Sequence, residues 1–227
     1  MPHPSYEYAV GRISVFSRRM LTAAQLRRIA EATDVTEALA LLLETGYGGN
    51  LTPAQVVHTE IDYVIRAQLQ MSRKMVWELT PDPDLTSLFL LEVDTHNIKT
   101  FLKARLMGIE APDVLIEGGV FPLDFLKDCV YNKKYDKLPD AYRIAMNKIE
   151  IDLQRSIDPL LFSAQIDCAM FKHIKSVLDK REEAGFVREY FTLMADFQNA
   201  RSVIRSRMLN WNSDKLRPML LDCGEID

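Results

Sequence analysis

One polar pattern occurs twice in this chain. Asp94-x-x-Asn97-x-Lys99-x-x-x-Lys103-x-Arg105 returns as Asp196-x-x-Asn199-x-Arg201-x-x-x-Arg205-x-Arg207, a constant shift of 102 positions. The aspartate, the asparagine and the last arginine are identical, and the two positions between keep their charge. Apolar residues separate them in both copies. Spacings of three and four place 94, 97, 101 and 105 on one helical stripe, with 92, 96, 99 and 103 on its neighbour. The first stripe has polar ends and an apolar middle, which predicts half burial. The second is predicted to face water. Pro81 and Pro83 in front and Gly108 behind bracket a helix over 85–107.

Other blocks recur in the same order. Glu60-Ile61-Asp62 matches Gln165-Ile166-Asp167, and Leu115-Ile116-Glu117-Gly118-Gly119 matches Leu220-Leu221-Asp222-Cys223-Gly224. A fainter copy lies near the start, with Arg19 falling on Arg105 and Glu31 on Glu117. Helices are expected over 6–20, 22–32, 36–43, 52–79, 85–107, 123–131, 138–156, 158–181 and 186–209. Thr22, Thr36 and Thr52 serve as caps, and Pro53 and Pro159 occupy first helical positions. Short links between them suit antiparallel neighbours. The fold class expected is all-α, built of repeated antiparallel helical hairpin modules. Residues 1–51 read as an N-terminal half-module, 52–138 as a complete module, and 139–227 as a second module cut short at its end.

Composition narrows the function. With 48% hydrophobic residues in 227, the chain can bury a real core. A net charge of −4 and a pI near 5.7 argue against a binder of nucleic-acid backbone. No apolar run approaches the length of a membrane span. Residues 1–8 lack the basic and apolar regions of a signal peptide. Three cysteines, odd in number and unpatterned, fit a reducing cytosol better than a disulfide framework.

No catalytic signature emerges. Gly46-Tyr47-Gly48-Gly49 lacks the spacing of a phosphate loop and reads as a helix-ending turn. His58 with Asp62 and Glu92 with His96 could assemble a metal site across a hairpin. In the second copy those positions are Ser163, Asp167, Met194 and Gln198, so only the aspartate persists. The reading is no catalytic residue, no cofactor and no metal. What persists is a set of polar positions: Asp62, Asp94, Asn97, Arg105, Asp167, Asp196, Asn199 and Arg207. A residue repeated within one chain serves the repeated fold more readily than one unique site. Folding 52–79 back on 85–107 sets Asp62 level with Arg105, and an ion pair across the hairpin is expected there. Asp167 is expected to pair in the same way near Arg201–Arg207.

The stretches YEYAVGRISVFSRRML, ALALLLETGYG and VDTHNIKTFLKARLMG, with the D-x-x-N-x-K helix the most specific, resemble the C subunit of the archaeal- and bacterial-type V/A-ATPase, known as the d subunit in eukaryotic vacuolar ATPases. The resemblance runs from Tyr6 to Asp227, and the family is longer by roughly another module. It implies an all-helical, three-module funnel with pseudo-threefold arrangement, incomplete here. It also implies a non-catalytic rotor component in proton or sodium transport, without a cofactor. Its partners would be the D and F subunits of the central stalk and the membrane rotor ring, at the cytoplasmic face. Left incomplete, such a chain is expected to self-associate or to hold Tyr6 to Met20 loosely. Two other classes remain: a helical-repeat adaptor binding a protein partner, and a helical metal-carboxylate enzyme.

Overall fold

The computed structural model describes residues 5–47, 61–112 and 114–225, and every regular element among them is helical. In chain order these are α1 (Tyr6–Ser17), α2 (Ala23–Ala30), α3 (Val35–Glu44), α4 (Ile61–Leu79), α5 (Pro83–Met107), α6 (Leu123–Tyr131), α7 (Asp140–Leu153), α8 (Pro159–Leu178), α9 (Gly185–Met208) and α10 (Ser213–Leu216). Two 3₁₀ turns, Tyr135–Lys137 and Arg217–Met219, were not foreseen from sequence, and neither was α10. The chain forms two compact units, Met1–Thr86 and Ser87–Asp227, which divide within the first turn of α5.

The first unit is held by a small apolar cluster. Leu39 and Leu42 of α3 and Val64 of α4 are buried together, with Leu21, Ile29, Leu43 and Tyr47 around them. Caps fix the short helices. The Thr22 hydroxyl accepts from the Gln25 amide at 3.3 Å while the Gln25 side chain accepts from the Thr22 amide at 2.9 Å, a reciprocal box. The cap of α3 is Asp34 rather than Thr36, because its carboxylate accepts from the Glu37 amide at 2.8 Å. In α1 only Ala9 is buried, and Tyr8, Ile13 and Phe16 remain exposed. The helix expected from residue 52 enters the described residues only at Ile61, so its Thr52-Pro53 start lies outside them.

The second unit is organised around α5. Twelve of its 25 residues are buried, among them Leu88, Leu91, Ile98, Phe101 and Leu102. Apolar positions fall all round it, the signature of an internal helix rather than a surface one. Segments from α6 to α9 converge on it. Phe101 meets Tyr131 edge to face at 6.2 Å, and the Thr95 hydroxyl is hydrogen-bonded to that of Tyr142 on α7 at 2.7 Å. Phe89 packs against Tyr190 and Phe191 of α9 at 5.3 and 5.1 Å. Leu126, Cys129, Met146, Ile149 and Ile166 complete the core.

α5 and α9 end in the same way. At Gly108, φ is +66, and the Ile109 amide reaches back to the Ala104 carbonyl at 3.1 Å. At Asn210, 102 positions on, φ is +53, and the Trp211 amide reaches the Ser206 carbonyl at 2.8 Å. Both are left-handed stops, which glycine adopts freely and asparagine tolerates best among the other residues.

Candidate functional site

Asp94 and Asn97 sit one turn apart on α5 and are each 1% exposed. A buried carboxylate or carboxamide must find hydrogen-bond partners. Both find them on the backbone of the loop that follows the helix. The Asn97 side chain donates to the Ile116 carbonyl at 2.8 Å, and its oxygen accepts from the Ile116 amide at 2.9 Å. Asp94 accepts from the Val120 amide at 2.9 Å and from the Phe121 amide at 3.2 Å. The loop comes so close that a Cβ on Gly119 would stand on the Asp94 carboxylate. Gly118, at φ +86, makes the turn that allows this approach.

The same clamp recurs behind α9. Asn199 donates to the Leu221 carbonyl at 2.9 Å and accepts from the Leu221 amide at 2.8 Å. Asp196, also buried, accepts from the Glu225 amide at 3.0 Å, and a Cβ on Gly224 would collide with its carboxylate. The helix side of the clamp repeats at a shift of 102 and the loop side at 105, as the two sequence blocks do. One detail differs. Gly118 has a positive φ, whereas Cys223 at the corresponding place does not.

Burial without a cation sets the electrostatics of the first clamp. Removal from water pushes the Asp94 pKa from 3.8 up to about 6, against the opposing pull of the Val120 and Phe121 amides. A second polar cluster closes the C-terminal end of α5. Arg105 donates to the Val130 carbonyl at 2.6 Å and to the Tyr135 hydroxyl at 2.9 Å, and it pairs with Glu150 of α7. Tyr135 donates to Glu150 at 2.6 Å and Lys133 pairs with it at 2.7 Å. Burial opposes the Glu150 charge, but the bonds from Lys133, Tyr135 and Arg105 outweigh it and hold its pKa near 2. Arg105 thus fastens α6, the following turn and α7 to the end of α5.

This clamped helical architecture coincides with a sequence match over nearly the whole chain. The family model for the ATP synthase (C/AC39) subunit matches residues 9–227. The chain belongs to that family. Its members are non-catalytic parts of the rotary complex. The chain is 23% identical over 240 residues to the C subunit of the A-type ATP synthase of Thermococcus kodakarensis, covering 98% of this chain and 62% of that one. It is 22% identical over 232 residues to its counterpart in Pyrococcus horikoshii, covering 97% and 61%. A stretch of 82 residues is 26% identical to the C subunit of the V-type sodium ATPase of Enterococcus hirae, covering 35% of this chain and 25% of that one. The chain spans about three fifths of the length of the archaeal relatives.

Within this member of the ATP synthase C/AC39 family, the other expected positions fall as follows. Arg105 is held by Glu150, Tyr135 and the Val130 carbonyl, and Asp62 is exposed on α4. Asp167 pairs with Lys99 of α5, on the copy before its own, while Arg201 and Arg205 line a cleft beside it. Arg207, the counterpart of Arg105, is exposed. The stripe expected to be half buried is buried at 94, 97 and 101 and partly so at 105; of the stripe expected to face water, Glu92 and Lys103 do so, whereas His96 and Lys99 are half-buried. His58 lies outside the described residues. His96 donates to the Val114 carbonyl at 2.9 Å, and among the described residues no group of three or more potential ligands could hold a metal.

The targets of the clamps were missed as targets. Gly119 and Gly224 stood in the recurring blocks, and a repeated glycine at the same distance behind a repeated buried aspartate was the available signal.

Proposed function

We propose that this chain is a coupling element of a V/A-type rotary ATPase, joining the D and F subunits of the central stalk to the membrane rotor ring at the cytoplasmic face during proton or sodium transport. The observation that carries the reading is the pair of clamps in a chain of the ATP synthase C/AC39 family. A part that passes torque between two others must not yield at its loops. Each clamp ties a loop to side chains inside a helix, so the loop moves only with that helix. In this reading 1–51, 52–138 and 139–227 are successive pieces of a pseudo-threefold array, and Asp94, Asn97, Asp196 and Asn199 serve the repeated fold. Among the described residues no helix is long and apolar enough to cross a membrane. Docking on the ring would then rest on polar, shape-matched contact.

The test is affinity capture with the tagged chain from detergent-solubilised membranes of its source, with the captured proteins identified by mass. Recovery of the D and F subunits or of the ring protein is the expected result. Capture of neither by the folded chain would remove the coupling role. A different, stoichiometric protein partner would point to the helical adaptor instead.

A further inference from the structure

The two copies of the pattern show how one helix is seated on another, and which two faces of this chain await the same seating. On α5 the positions 91, 95, 99 and 102 form a face that α8 approaches. Leu91, Thr95 and Leu102 on it are buried, Lys99 pairs with Asp167 of α8, and Leu102 lines one apolar groove with Phe162 and Ile166. On α8 the stripe Ile166, Met170 and Ile174 is buried in turn. The counterpart of the α5 face is Leu193, Phe197, Arg201 and Ile204 on α9, and all four are exposed. The counterpart of the α8 stripe is Ile61, Ile65 and Leu69 on α4, with Asp62 in the place of Asp167. These four are exposed as well.

We infer that two copies of this chain associate head to tail, α4 of one seated on α9 of the next as α8 is seated on α5, with Asp62 of one copy paired to Arg201 of the other. Three features select a second copy as the occupant. Both halves of the interface are present on one chain and exposed. Their apolar residues keep the spacing of the mated pair. The charges are complementary, with arginine replacing lysine at 201 and aspartate retained at 62. Isolated apolar side chains on a surface are ordinary, but two continuous stripes whose counterparts are buried mark interaction faces. Because the two faces differ, the contact is heterologous, and it builds rings or open chains rather than a twofold pair. This association does not depend on the coupling role proposed above.

The test uses the 227-residue chain in sedimentation velocity over a range of concentrations, with circular dichroism on every variant. The particle mass of the native chain is expected to rise with concentration. Asp62→Arg and Arg201→Asp each set like charges against one another, and each is expected to weaken association by at least about tenfold. An equimolar mixture of the two variants restores opposite charges at every contact and is expected to regain the native behaviour, which unfolded chains could not do. A native chain that stays monomeric throughout overturns the inference and leaves the faces to another protein. So do single variants that associate like the native chain, or a mixture that fails to recover.

Discussion

α5 and α9 carry the same polar pattern and make the same clamp, yet one is an interior helix and the other is mostly exposed. Twelve of 25 residues are buried in α5 and three of 24 in α9. The difference is greatest on one side. On the clamp side burial is shared, as at Val93 and Ala195, Asp94 and Asp196, and Ala104 and Ser206. On the neighbouring side it is reversed: Leu91 is 2% exposed and Leu193 55%, Thr95 2% and Phe197 64%, Leu102 2% and Ile204 61%. The pattern therefore encodes how a helix holds the loop behind it. How deeply that helix is buried depends on what else packs against it. Paired substitutions at equivalent positions separate the two effects.

The largest contrast is expected at the terminal arginines. Arg105→Ala leaves the Glu150 charge mostly buried with one partner fewer, and removing one member of such a pair destabilises by about 3 kcal/mol. Arg207→Ala, on an exposed residue, should lie within about 0.5 kcal/mol of the parent in denaturant unfolding. Equal losses at both positions would break the comparison.

Leu102→Ala should cost about 3 kcal/mol through lost burial and a cavity, and Ile204→Ala no more than about 0.5 kcal/mol. A large loss at Ile204 in the associating concentration range, absent on dilution, would sharpen the case for a covered α9 face.

The clamp carboxylate adds a pH dependence. Asp94 has a folded-state pKa of about 6 against an ordinary 3.8, so between those values the folded chain holds a proton that the unfolded chain has released. Stability from this group is fully present below about pH 4 and declines as pH rises to 6, by up to about 3 kcal/mol, then levels off. Asp94→Asn, which does not ionise, should flatten that part of the profile. A profile unchanged by the substitution would contradict the burial argument.

The smallest contrast is expected at the glycines. Gly119→Ala and Gly224→Ala each force a methyl group onto a buried carboxylate and should destabilise by about 2 kcal/mol apiece. Similar values at both, beside the unequal arginines, would separate the shared clamp from the unshared cover.

Much of this was legible because helices repeat locally. The Asp-x-x-Asn spacing, the start of α8 at Asp158-Pro159 and the stop at Gly108 follow from residues close in sequence, and the structure places them there. The clamp bonds were not legible, because their other ends are backbone amides at Ile116, Val120, Leu221 and Glu225, which carry no side-chain signature. Ion pairs failed for a different reason. Arg105 to Glu150 and Lys99 to Asp167 join positions far apart in the chain, and only the packing of α7 and α8 onto α5 selects them from many possible charge pairs.

The claim that one device is used twice is most directly tested by amide hydrogen exchange on Asn97→Ala and Asn199→Ala beside the parent chain. The first substitution should raise exchange at Ile116 and in the 114–121 loop while leaving Leu221 and Glu225 protected; the second should do the reverse. Loops that exchange equally fast in the parent and in both variants would contradict the clamp as the element that holds them.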